Sequence, residues 1–135
     1  MEVVAISQPP DWLRLVGLAA FDGHEFDVPV AHLELDTTVD LPDGERRRLL
    51  RFSTASHAVE VTVIPKPRTS TLTVAVTPAG AVGIEVHPLH GIVRHLHADT
   101  GGVATCRSVP PGPLSIVVLW PASQGGAVRT AWTQL

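Results

Sequence analysis

Apolar and polar residues alternate along most of this chain, and the period is that of a strand, not of a helix. Within 57–64, Val59, Val61 and Val63 share one face while Glu60 and Thr62 share the other. Within 70–77, Leu72, Val74 and Val76 alternate with Thr71, Thr73 and Ala75. Both segments predict strands with one buried face. Their Val and Thr content agrees, because β-branched side chains pack well on a pleated surface. The same reading predicts strands at 13–18, 29–36, 49–54, 81–87, 92–98, 103–109, 113–120 and 127–134.

Turn chemistry separates these segments. Leu41-Pro42-Asp43-Gly44 places Pro at the first central position of a turn. Pro65-Lys66-Pro67, Pro78-Ala79-Gly80, Asp99-Thr100-Gly101-Gly102, Pro110-Pro111-Gly112-Pro113 and Ser123-Gln124-Gly125-Gly126 punctuate the rest. Twelve prolines and eleven glycines leave room for at most one short helical turn, over 44–52. Short strands at this spacing predict a sandwich or barrel. The expected architecture is all-β, a single antiparallel β-sandwich over 12–135. Residues 1–11 form an N-terminal arm, because Pro9-Pro10 cannot join a ladder.

Composition narrows the function. The length of 135 residues suits one domain with its own core, and 44% hydrophobic residues argue against disorder. A net charge of -3 without a basic stripe offers little to nucleic acid. The lone Cys106 cannot form an internal disulfide. The N-terminus lacks the basic and apolar regions of a secretion signal, and no apolar run approaches the ~18 residues of a membrane helix. A cytoplasmic protein is expected.

Candidate chemistry centres on His87, His90, His95 and His97. If 81–87 and 92–98 form a hairpin with 87 opposite 92, His95 faces Ile84 and Glu85 pairs with Arg94. His95 then lies about 10 Å from His87, so the four imidazoles cannot meet on one ion. If Asp99–Gly102 turns into a second hairpin, Cys106 lies opposite His95 and Ala104 opposite His97. His95, His97 and Cys106 would then share a face and suit zinc. A slip of one residue reverses every face, and the alternative is two exposed histidines with a half-buried thiol.

The chain contains no G-x-S-x-G elbow and no phosphate-binding glycine loop, so neither an enzyme nor a bound cofactor is expected. Asp22, Glu25 and Asp27 around His24 read as a solvated loop, and Arg46-Arg47-Arg48 with Arg51 as a solvated surface. Among the tryptophans, Trp132 is placed in the core. Trp120 ends a strand apolar on both faces, which needs cover from the N-terminal segment or another chain. Trp12, which follows Pro9-Pro10, is a candidate exposed anchor or a lid over one sheet edge.

The runs His97-Ala98-Asp99-Thr100-Gly101-Gly102-Val103 and Val109-Pro110-Pro111-Gly112-Pro113-Leu114-Ser115-Ile116 resemble the carboxypeptidase regulatory-like, transthyretin-type sandwich family. That family has a T-D-x-x-G-x-F turn, then V-P-x-G ahead of a strand of branched residues. Ala104 replaces the aromatic here. Arg48–Phe52, Val59–Val63 and Thr130–Leu135 also resemble segments of small actinobacterial proteins of this type. The resemblance spans 48–135 and implies a sandwich. It also implies a non-catalytic role in a regulatory or signalling complex, in the neighbourhood of sigma factors. The expected function is a protein-interaction module using Trp12 and Trp120. The alternatives are a metal-binding or thiol-sensing domain built on His95, His97 and Cys106, and a structural homo-oligomer.

Overall fold

A computed structural model describes residues 28–135. The predicted arm, the strand at 13–18, the acidic loop around His24 and the candidate anchor Trp12 lie outside the described residues.

Ten strands follow in chain order: β1 (Val30–Asp40), β2 (Arg46–Ser53), β3 (Ala58–Pro65), β4 (Ser70–Thr77), β5 (Gly83–Pro88), β6 (Arg94–His97), β7 (Val103–Val109), β8 (Pro113–Leu119), β9 (Ala127–Thr130) and β10 (Thr133–Gln134). A single 3-10 turn, Ala122–Gln124, is the one helical element among the described residues. The segment 44–52 turns and enters β2, because Arg48–Ser53 is laddered to β3 while the whole of β2 is laddered to β1. Partners on both sides override its local helical composition.

The strands form one mixed sheet in the order β6-β5-β8-β9-β1-β2-β3-β4-β7, with β10 also on β8. The sheet curves into a near-barrel. The expectation of a purely antiparallel sheet is corrected at one place. β1 runs parallel to β9, with Val30 beside Arg129 and Ala31 beside Thr130. All other pairs are antiparallel. Chain direction follows from connectivity, which side-chain alternation does not encode.

Inward residues of every long strand meet in one core. Val59, Val61 and Val63 of β3 and Leu72, Val74 and Val76 of β4 face Ile84 and Val86 of β5 and Leu114, Ile116 and Val118 of β8. Each such side chain removes about 1.5–3 kcal/mol worth of apolar surface from water. β8 is buried on both faces, since Ser115 and Val117 are each 1% exposed. The chain itself covers Ser115 and Val117, while Leu119 at the end of β8 stays 40% exposed.

The Asp99 turn shows why its motif has that composition. The Asp99 carboxylate accepts from the backbone N–H of Gly101 at 2.9 Å and of Val103 at 3.1 Å. Gly102 has φ +79°, and a Cβ there would sit 2.9 Å from the Val76 carbonyl oxygen. A side chain is therefore excluded both by conformation and by space.

Candidate functional site

The feature that departs most from a closed, self-satisfied sheet is β1. It touches β9 only at Val30 and Ala31, yet pairs with β2 from His32 to Asp40. Among the described residues, no strand pairs with 33–40 on the side away from β2. Three of the large exposed hydrophobics lie on this strand: Leu33 at 41%, Leu35 at 45% and Val39 at 38% exposure. The register breaks between Leu33 and Leu35, which marks a bulge at Glu34.

The β1–β2 ribbon is held by ion pairs. Arg51 donates to Glu34 at 2.6 Å and to Glu60 of β3 at 2.8 Å. Ser53 donates its hydroxyl to the second Glu34 oxygen at 2.6 Å. Arg48 grips Asp36 through two bonds of 2.8 and 2.7 Å and donates a third to the Gln134 carbonyl. Arg46 meets Asp40 at 2.9 Å. The Ser53 hydroxyl and then Arg51 hold the Glu34 carboxyl below its usual range. Arg48 does the same for Asp36. Arg46, Arg48 and Arg51, read from sequence as part of a solvated surface, remain at least partly exposed and also form the rungs of a ladder. Counting outward from the 41–44 turn places Asp40 opposite Arg46, so this signal was present in the sequence.

Beside Glu34 lies an open cleft of about 320 Å³ that also borders Arg51, Ser53, Ser56 and His57. Ser56 Oγ is 2.9 Å from His57 Nδ1, and His57 Nε2 is 2.6 Å from the Gln124 carbonyl. A carbonyl only accepts, so Nε2 carries a proton there. Thr54 Oγ1 accepts from the backbone N–H groups of Ser56 and His57. Those two amides are thereby engaged, and His57 braces the loop 121–126 through the Gln124 carbonyl.

Trp120 belongs to that brace. It is 4% exposed, its Nε1 donates to the Pro78 carbonyl at 2.9 Å, and its ring centroid lies 4.4 Å from that of His57. The expectation that Trp120 presents a docking surface is therefore corrected: the side chain is a core residue. Trp132 is half-buried where the chain breaks between β9 and β10, outside the main core cluster.

The predicted trio His95, His97 and Cys106 is not assembled. β6 pairs with β5 and β7 pairs with β4, so the second hairpin does not form. His95 and His97 are exposed, whereas Cys106 is 2% exposed and packs in the core. Burial pushes the thiol up, with Arg94 pulling less strongly the other way. The β5–β6 register also differs by one residue from the predicted one. Glu85 faces His95, and Val86 faces Arg94. The slip turns Arg94 inward, where it lies 3.7 Å from Cys106 Sγ. It also brings His87 and His95 onto one carboxylate, which the predicted register kept apart. His87 Nε2 is 2.9 Å from one Glu85 oxygen and His95 Nδ1 is 3.5 Å from the other. Among the described residues, no three His, Cys, Asp or Glu side chains stand ready around a common point. No described helix is long and apolar enough to cross a membrane.

No family model, curated protein or solved structure matches the chain.

Proposed function

We propose that this protein is a non-catalytic interaction module that takes an extended segment of a protein partner along the edge of β1 that no described strand occupies. The observation that supports the reading is the strand itself. Residues 33–40 pair on one side only among the described residues, and Leu33, Leu35 and Val39 are exposed. A hydrophobic edge without Lys or Pro is a template for strand addition.

Glu34, Asp36 and Asp40 of this strand are each already paired with an arginine of β2. The occupant is therefore selected by the backbone edge and by the exposed Leu33, Leu35 and Val39 rather than by charge. An extended partner segment with aliphatic residues at alternate positions complements it. The resemblance to regulatory-like sandwiches supports a setting in a regulatory or signalling assembly, near a sigma factor.

The test is affinity capture from the host lysate with the wild type and with Leu35→Lys/Val39→Lys, followed by hydrogen exchange on any complex. The reading expects one stoichiometric protein, lost with the variant, and new protection of amides 33–40 in the complex. Capture that survives the variant, or a complex without new protection there, removes the β1 edge. A wild type that captures nothing and scatters light as a dimer favours the homo-oligomer reading.

A further inference from the structure

Two hairpin contacts fix which backbone groups of β1 face away from β2. At the β1–β2 turn, Leu41 donates its N–H to the Glu45 carbonyl at 2.8 Å. At the far end of β2, Thr54 donates to the His57 carbonyl at 2.9 Å. Antiparallel pairs alternate between bonded and unbonded positions, so each contact sets the phase of its ladder. From Glu45 onward, Arg47, Leu49 and Arg51 turn their backbone groups toward β1 and bond Val39, Thr37 and Leu35. From Thr54 back, Phe52, Leu50 and Arg48 turn theirs toward β3. The two phases agree. The backbone groups of Asp36, Thr38 and Asp40 therefore point away from β2.

β9 fixes the phase at the start of β1. The Ala31 carbonyl accepts from the Ala131 N–H at 3.0 Å, so Ala31 faces β9, and Leu33 faces the same way. The bulge at Glu34 then shifts the phase, and the next outward residue is Asp36, three positions on instead of two. Asp36, Thr38 and Asp40 are all exposed, and no strand pairs with them on that side among the described residues. They present an evenly spaced row of three N–H donors and three carbonyl acceptors. The side chains along the row are sorted by face. Leu35, Thr37 and Val39 lie opposite Arg51, Leu49 and Arg47, whereas Asp36 and Thr38 lie opposite Leu50 and Arg48 on the core side.

We propose that the partner docks as a short strand whose backbone bonds to Asp36, Thr38 and Asp40 and whose pairing stops at the bulge. The proposal rests on the β1 reading above and adds its register and its length. A strand in phase with Asp36 is out of phase with Leu33, so it cannot continue toward β9 without a bulge of its own. The recognised segment matches 36–40. Aliphatic or β-branched residues suit its outer face, beside Leu35 and Val39. Uncharged hydroxyl residues suit the other face, because Arg48 and Arg46 already pair Asp36 and Asp40. Main-chain bonds supply the affinity and the alternate side chains supply the preference.

The test exploits proline in the full chain. Thr38→Pro removes an outward N–H and leaves the ladder to β2 whole, as prolines of edge strands do. Thr37→Pro removes an N–H bonded to β2. Wild type and Thr38→Pro should unfold at closely similar temperatures, and Thr37→Pro well below both. Before any addition, amides 36, 38 and 40 should exchange about tenfold or more faster than amides 35, 37 and 39. The probe is a capped peptide of alternating valine and threonine with a lysine at each end, titrated to millimolar and read by NMR. Slower exchange is expected at 36, 38 and 40 but not at 33, and not in Thr38→Pro. Slow exchange of 36, 38 and 40 before addition, or no response to the peptide, overturns the proposal. So does protection of these amides by raised protein concentration alone, which would assign the edge to a second copy. Binding kept by Thr38→Pro but lost in Leu35→Lys/Val39→Lys overturns the register and leaves the β1 reading in place. Binding kept by both variants removes that reading as well.

Discussion

Arg94 of β6 donates to the carbonyl of Arg107 on β7 at 2.7 Å, bridging two strands that share no backbone ladder. Its second guanidinium nitrogen donates to the Ser108 carbonyl at 3.0 Å. Ser108 has φ +59°, a left-handed conformation costly for a residue with a Cβ. Arg94 thus bridges the two end strands of the near-barrel and also holds a strained residue. Arg94→Ala should destabilise the protein by about 1–2 kcal/mol, because charged hydrogen bonds are lost but water can reach both exposed carbonyls. Urea unfolding measures this. Arg94→Lys should recover only part, because an ammonium lacks the planar fork that meets two carbonyls. Equal stability of wild type and Arg94→Ala would mean that the seam holds without the guanidinium.

The same contact predicts the behaviour of Cys106. Its thiol is buried, and burial raises it above its ordinary range. Native protein should therefore react slowly with a disulfide reagent such as DTNB at pH 7–8; Arg94→Ala removes the cation that favours the thiolate, so a faster reaction in that variant reports opening of the seam and not a more acidic thiol. A fast native reaction would show that the seam already opens.

His57 and Gly125 form a second coupled pair. Gly125 has φ +108°, and a Cβ there would collide with the His57 ring, at 2.6 Å from Nε2. Gly125→Ala should cost about 1–3 kcal/mol from backbone strain together with the clash. In the His57→Ala background the clash disappears and only strain remains. The two changes should thus be less than additive by about 0.5 kcal/mol or more. Strict additivity would show that the loop moves away from His57 at no cost.

These relationships also mark what the sequence could and could not disclose. β4 was legible to the residue, and β3 nearly so, because Val59, Val61 and Val63 and Leu72, Val74 and Val76 follow period two without interruption. Periodicity assigns faces within a strand but says nothing of its partner. After β6, Ala98 donates to the Val82 carbonyl and the chain crosses to the far side of the sheet, so β7 joins β4. That crossing separated Cys106 from His95 and His97. The one-residue slip at Glu85 and His95 has a similar origin, since the loop between β5 and β6 is longer than the minimal turn. The ion-pair ladder of β1 and β2 was present in the spacing around the 41–44 turn, but only a fixed register makes it visible.

Val117 tests the double burial of β8. It faces away from the barrel core, in the row that runs from His95 through Glu85 to Arg129, yet it is 1% exposed. Val117→Thr keeps the shape but buries a hydroxyl, and should cost about 1–3 kcal/mol. A neutral substitution would show that this face is wetter than its burial implies.

The carboxylates of β1 set the response to acid. Glu34 is held low first by the Ser53 hydroxyl and then by Arg51, and Asp36 is held low by Arg48. A carboxyl whose folded value is depressed stabilises the fold above its unfolded value, and that stabilisation disappears as pH falls through the folded one. The ribbon should therefore be at full strength above about pH 5 and weaken only below the usual carboxylate range of about 4. Both groups are exposed, so salt should reduce the effect. NMR titration of the carboxyl carbons reads it directly, with both midpoints expected below those of unpaired Asp and Glu. Ser53→Ala should raise the Glu34 midpoint and leave Asp36 in place, since Arg48 is untouched. Ordinary midpoints at both residues would mean that the ladder is open in solution. The outer part of β1 would then be held to β2 by its backbone ladder alone.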